Sequence, residues 1–296
     1  YEEFGSRADP TALLVMGLGT QMIAWQTEFC EQLAARGLHV VRFDNRDIGR
    51  STHVSGAPPT VRQLLARSRS AARYTLADMA EDTWMLMERL RLAPAHVIGA
   101  SMGGMIAQTV AARRPDDVRS LVSIMSNTGS RLSGQPSLGV YAMFLRRAPR
   151  GRDAFIEHMV RVFDLIASPG YPRDRDEIRR LAALSYDRDS DPAGAGRQLA
   201  AIIASGNRTS ELRRITAPTL VIHGAGDRLV APSGGRATAR AIRGAHLMLI
   251  DGMGHDLPRA IWPQLIDAIA DHSSEAERRT VEHPPLQARP ATAPGL

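Results

Sequence analysis

The stretch Ala95-His96-Val97-Ile98-Gly99-Ala100-Ser101-Met102-Gly103-Gly104-Met105 decides the fold. Ala95 to Ile98 is short, apolar and β-branched and follows Pro94, which predicts a buried strand. Met105 to Arg114 is rich in Ala, Met and Gln and is closed by Pro115, which predicts a helix. At the junction stands Ser101 with glycines two before and two after, the G-x-S-x-G pattern of a nucleophile elbow. The glycines have a steric reason. The serine occupies a strained turn, and a Cβ at Gly99 or Gly103 would crowd the neighbouring strand and helix. The turn lifts Oγ out of the sheet onto a helix N-terminus, where amide donors and the helix dipole favour an anionic oxygen.

An activated serine needs a base and an acid. Of nine histidines, only His255 follows a strand in a glycine-punctuated loop, Asp251-Gly252-Met253-Gly254-His255 after Leu247 to Ile250. His39, His96 and His246 open apolar runs, and His158 lies in a helical run. His272 and His283 fall at or beyond the last helix. His223 is the main rival, at the end of the strand Thr219 to Ile222, where a histidine is more often structural. That strand runs into Gly224-Ala225-Gly226-Asp227, a loop that delivers a carboxylate. The order Ser101, Asp227, His255 is that of a serine on a strand-to-helix elbow, unlike the chymotrypsin and subtilisin orders. Asp44 also ends a strand, but precedes the serine and reads as a turn residue. Asp251 reads as shaping the histidine loop. The oxyanion donors expected are the amides of Met102, next after the serine, and of Leu18, in the loop Gly17-Leu18-Gly19-Thr20 after the strand Leu13 to Met16. That loop is a poor phosphate cradle, because Met22 holds the third glycine position and no Gly-Lys-Ser/Thr follows.

Four separated segments carry a resemblance. Gly99 to Gly103, Phe43-Asp44-Asn45-Arg46-Asp47-Ile48-Gly49-Arg50-Ser51, Pro218 to Gly224 and Gly252 to His255 resemble landmarks of the α/β-hydrolase superfamily, in its order. The likeness spans roughly residues 1 to 272. With Val15 to Gly19 and Trp25, it looks closest to the aclacinomycin methylesterase-like and related bacterial esterase and lipase branch. The resemblance implies an α/β fold with a mostly parallel, doubly wound sheet. It also implies a helical cap between the sixth and seventh strands. Most relatives carry His-Gly in the oxyanion loop where this chain has Met16-Gly17, so the side-chain packing there must differ. A second acid position used by some hydrolases is closed, since no carboxylate occurs from Ser126 through Pro136. The serine separates this chain from relatives with an aspartate nucleophile.

The pattern along the chain agrees. Strands are expected near 12–16, 39–43, 95–99 and 120–125, with helices near 25–36 and 76–91, the second opening on Thr75-x-x-Asp78. Met79, Trp84 and Met87 are expected to pack against the sheet. Strand patterning then stops, and helical runs appear at about 138–147, 152–167, 175–187 and 193–205. This divides the chain into a core, residues 1–126 and 217–272, and a helical cap, residues 127–216, that excludes water and shapes the pocket. Gly17, Trp25, Phe144, Phe155, Met159, Phe163 and Tyr186 are candidate substrate-lining residues; the cap aromatics could equally form the cap's own core. Residues 273–296 are polar with four prolines, and a flexible tail is expected.

Composition narrows the function. The net charge is +6 and all 37 basic residues are arginine, but they are scattered among acids with no aromatic-basic stripe, which argues against nucleic acid. No apolar run approaches the length of a membrane span. No His-Glu-x-x-His or Cys/His cluster appears, so no metal or other cofactor is expected. The lone Cys30 lies in a helical run as a packed thiol and fits the cytoplasm, while the opening residue Tyr1 leaves secretion open. The expected activity is that of a serine carboxylesterase on short- to medium-chain or hydrophobic small-molecule esters, as a monomer or homo-oligomer. A perhydrolase (haloperoxidase-like) or C–C bond hydrolase would use the same three residues. A non-catalytic receptor on this fold usually lacks one of them.

Overall fold

A computed structural model describes residues 1–282 except Arg67, 141–148, Arg150 and Pro192. Among the described residues seven strands form one sheet: β1 (Glu2–Phe4), β2 (Thr11–Val15), β3 (His39–Arg42), β4 (Ala95–Ala100), β5 (Val118–Ile124), β6 (Thr219–Gly224) and β7 (His246–Ile250). Their order is β1-β3-β2-β4-β5-β6-β7. Within this sheet β1 alone pairs antiparallel, with Glu2 opposite Arg42; no apolar alternation announces this short polar edge strand. The other pairs are parallel, as strand–helix alternation requires. The longer helices are α1 (Thr27–Ala34), α2 (Leu76–Leu90), α3 (Met102–Arg113), α4 (Arg152–Ile166), α5 (Arg175–Arg188), α6 (Ala193–Ser205), α7 (Ser233–Ala241) and α8 (Trp262–Glu282).

Successive strand residues face opposite sides, so both faces must be covered. Leu13, Val15 and Val97 join Met79, Met87 and Ile106 on one side. Leu14, Ile98, Val122 and Ile222 join Phe29, Trp262, Leu265 and Ile269 on the other. Met79 and Met87 thus pack on the sheet, and Trp84 instead donates to Asp117 at 2.8 Å beneath the Arg114 guanidinium. The Thr75–Asp78 capping box forms. Cys30 is buried, which pushes its thiol up to about 12.

The helical insertion leaves the sheet after β5 and returns at β6, the fifth and sixth of these seven strands. Among the described residues, three of its ties to the core lie well apart. In the first, Arg188 meets Asp44 at 2.8 Å, and Arg197 grips both oxygens of Asp47 at 2.7 and 2.9 Å, all four side chains being buried. Burial opposes ionisation of Asp47, but the Arg197 fork and the Val54 amide hold its carboxyl below the usual range. In the second, the Ile166 carbonyl accepts from His255 N–H at 2.8 Å. In the third, Arg208 donates to the carbonyls of Met105 and Asn127, and burial pulls its guanidinium down to about 10.

The expectation of a tail from residue 273 needs correction over its first part. Helix α8 continues to Glu282. Ser273 and Ala276 are buried, and Glu277 lies 3.3 Å from His96 Nε2 and 3.1 Å from Arg119 Nε. Residues 283–296 lie outside the described residues.

Candidate active site

The register aligns the carboxyl ends of the strands. Val15 pairs with Gly99, Ala100 with Ile124, Ile124 with Ile222, and Gly224 with Ile250. The loops leaving β2, β4, β6 and β7 therefore open on one edge, where an open α/β sheet holds its ligands.

Ser101 stands at that edge with φ +56° and ψ −119°, a left-handed φ that L residues rarely adopt. The turn is held because Ser101 N–H donates to Ile124 O at 2.9 Å and Met105 N–H to Ser101 O at 3.2 Å. The flanking glycines have no room for a side chain. A Cβ on Gly99 would lie 2.2 Å from Gly103 O, and one on Gly103 would lie 2.0 Å from Val15 O.

His255 and Asp227 come from loops far apart in sequence and converge on this serine. Ser101 Oγ lies 2.9 Å from His255 Nε2, and His255 Nδ1 lies 2.7 Å from Asp227 Oδ2. Asp227 Oδ1 accepts from the amides of Leu229 and Val230, each at 2.9 Å. A carboxylate accepting there leaves Nδ1 to carry the proton and Nε2 to accept from the serine hydroxyl. His255 and Asp227 are buried. The rival His223 is wholly buried beneath the acid. Its Nε2 donates to Val230 O at 2.8 Å and lies 3.5 Å from Asp227 Oδ2. Burial lowers the His223 pKa, and the ring does not reach Ser101 in this hydrogen-bond network.

The Gly17–Thr20 loop lies against the elbow: a Cβ on Gly17 would meet Ser101 Cβ at 3.1 Å and Ala100 O at 3.3 Å. Met102 is the first residue of α3, so its N–H points along the helix start beside Ser101. Asn45 Nδ2 donates to Met16 O at 2.8 Å, holding the loop from the β3 side.

Among the candidate pocket residues, Trp25 needs correction. It is fully buried, its ring 5.5 Å from that of Phe29 in the core on one sheet face, and it packs there instead of standing open to a substrate. The pairing of Phe29 with Trp262 completes that aromatic stack. Phe155 and Tyr186 pack on each other across α4 and α5, with centroids 5.6 Å apart. Met159 and Phe163 are half-buried on α4. Phe144 lies outside the described residues.

Sequence reading missed Ser168 and Asp256. Asp256 Oδ1 accepts from Ser168 N–H at 2.8 Å and from its hydroxyl, while Ser168 Oγ accepts from Gly254 N–H at 2.8 Å. Burial pushes the Asp256 carboxyl above its usual range. The pair fastens the insertion to the loop that carries His255. Adjacency of Asp256 to His255 was the only sequence signal, and Ser168 had none.

A family model described as alpha/beta hydrolase fold matches residues 10–258. The chain belongs to that family. Rhodomycin D methylesterase DauP from Streptomyces sp. (strain C5) is 30% identical over 93% of this chain and 94% of its own. Among solved structures, the enol-lactonase from Burkholderia xenovorans LB400 superposes with a TM-score of 0.67 at 23% identity, over 94% of this chain and 95% of that one. The meta-cleavage product hydrolase CumD from Pseudomonas fluorescens IP01, in a mutant form complexed with acetates, gives 0.70 at 19% identity over 93% of each. These two similarities concern the hydrolase fold. The methylesterase relatives support an ester-hydrolysing enzyme.

Proposed function

We propose that this hydrolase is a serine carboxylesterase acting through an acyl-enzyme on small-molecule esters, with methyl esters heading the substrate panel. The hydrogen-bonded chain Ser101–His255–Asp227 carries the reading. His255 Nε2 takes the hydroxyl proton as Ser101 Oγ bonds to the ester carbonyl carbon. The carbonyl electron pair moves onto oxygen, where the amides of Leu18 and Met102 stabilise it. His255 then gives its proton to the departing alcohol as the C–O bond breaks. Asp227 holds the imidazole tautomer and stabilises the cation. Water attacks the acyl-enzyme by the same proton path and releases the acid. The helices between β5 and β6 act as the cap over this edge. Phe155, Met159, Phe163 and Tyr186 are its candidates for contact with the acid portion. The methyl-ester emphasis comes from the methylesterase relatives, since no motif in this chain encodes the leaving alcohol.

Purified protein is expected to hydrolyse p-nitrophenyl butyrate. Ser101→Ala is expected to lower turnover by on the order of 10^4-fold or more. Undiminished turnover in that variant would overturn the assignment. A panel pairing methyl and p-nitrophenyl esters with acetate plus peroxide, and with a β-diketone, separates ester hydrolysis from perhydrolysis and C–C cleavage.

A further inference from the structure

The helical insertion contributes a wholly buried amide side chain, Gln198 on α6, and each end of it engages a different core loop. Gln198 Oε1 accepts from Gly19 N–H at 2.8 Å, and Nε2 donates to Arg46 O at 2.8 Å. An N–H on one side and a carbonyl on the other fix which way the amide is turned. We propose that Gln198 is a positioning residue for the oxyanion hole, through which the insertion holds the Leu18 amide in its donating orientation. The proposal rests on the esterase reading above.

Two peptide planes transmit the effect. A trans peptide points its C=O opposite its N–H. Fixing Gly19 N–H therefore fixes the Leu18 carbonyl, whose oxygen accepts from Thr20 Oγ1 at 3.1 Å. The preceding plane is restrained too, because Gly17 O accepts from Thr20 N–H at 3.3 Å. Leu18 N–H then points away from Gly17 O, in the loop whose Gly17 backbone lies against Ser101. Both planes flanking the Leu18 Cα are held, one of them by a side chain of the insertion. Gln198 is itself immobilised. Its neighbour Arg197 is forked onto Asp47, and Ala195, one turn earlier, sits where a Gly19 Cβ would come within 3.0 Å. Preorganised donors matter because a donor that must reorient during reaction loses much of its value.

A plain structural role would lower stability and affect all ligands alike. A positioning role selects for the tetrahedral state, which two variants can read. Gln198→Met keeps volume and removes both bonds. Thr20→Val, at a half-buried site, removes only the grip on Leu18 O and serves as the comparison, while Gln198→Ala, which also removes both Gln198 bonds, is the variant to rely on if Gln198→Met does not fold. The probes are a p-nitrophenyl ester, an aryl trifluoromethyl ketone that forms a tetrahedral adduct, and the matching methyl ketone that binds without one. For Gln198→Met, kcat should fall about 10- to 100-fold, below the loss seen when an oxyanion donor is deleted outright. KM should stay within about threefold, since ground-state binding is spared. Trifluoromethyl ketone affinity should fall with kcat, while methyl ketone affinity holds. Thr20→Val should shift the same quantities less. Unchanged kcat and trifluoromethyl ketone affinity in the folded variants, or equal losses for both ketones, would overturn the positioning role alone. A wild-type protein that hydrolyses no ester and takes up no fluorophosphonate at Ser101 would overturn the esterase reading, and this proposal with it.

Discussion

Ser101 is held at φ +56° by its surroundings and not by its own preference. Its two glycines were legible in sequence because the steric demand is local. Gly103→Ala puts a methyl 2.0 Å from Val15 O, so strand and helix must part. The expected cost is about 1–3 kcal/mol by overpacking, read as a lower denaturant midpoint, with ester turnover falling as Ser101 moves. Asp227→Asn tests the acid differently. The amide oxygen can still accept from Leu229 and Val230, but its NH2 would face a ring nitrogen that must then accept. The imidazole is driven to the wrong tautomer, and kcat should fall on the order of 10^4-fold with little change in thermal midpoint. Trp25 was misread for a physical reason. A tryptophan near a candidate oxyanion loop can face either way, and only the tertiary stack on Phe29 and Trp262 decides.

Among elements, the strands and helices followed the apolar periodicity closely; the helical runs expected at about 152–167, 175–187 and 193–205 lie where expected, at α4, α5 and α6, and most of the run expected at about 138–147 lies outside the described residues. What holds the insertion was not legible. Asp44 read as a turn residue because its partner Arg188 is 144 positions away, and Asp47 meets Arg197 across 150. Long-range ion pairs leave no periodic trace. The end of α8 was missed for a related reason: its buried contacts use small and polar residues, Ser273 and Ala276, and carry no hydrophobic signal. The Asp47–Arg197 pair makes a quantitative test. Arg197→Met strands a buried carboxylate and should cost about 3–5 kcal/mol in chemical denaturation. Adding Asp47→Asn should restore much of that loss, because no buried charge is left without a partner. Additive losses in the double variant would refute this account.

At the scale of the whole molecule, burial of neutral histidines ties stability to pH. Burial first, then the charges of Arg119 and His272, lowers the His96 pKa to about 4. Glu277 at 3.3 Å would favour the charged ring, but it is shared with Arg119, so burial prevails. An unfolded histidine takes its proton near 6.5, so between pH 6.5 and 4 the unfolded chain binds a proton that the folded chain refuses. The contribution is full above pH 6.5 and shrinks below it, by up to about 1.4 kcal/mol per pH unit for this group. His223 and His272, also lowered by burial, add in the same direction. The thermal midpoint should drop from pH 7 to pH 5, and His96→Gln should flatten the slope. The three separated ties of the insertion bear on how substrate arrives. Bound at Asp44 and Asp47, at the histidine loop and at Arg208, the described part of the insertion cannot lift as one body without breaking buried bonds. For the described residues, rigid-body opening over microseconds or longer is therefore not expected, and side-chain rotation over nanoseconds is the expected route. The described part of the insertion, moored in this way, is expected to offer an oil droplet no lid to open. The hydrolysis rate should rise smoothly through the solubility limit of a water-insoluble ester, without the jump that marks an enzyme switched on by an interface.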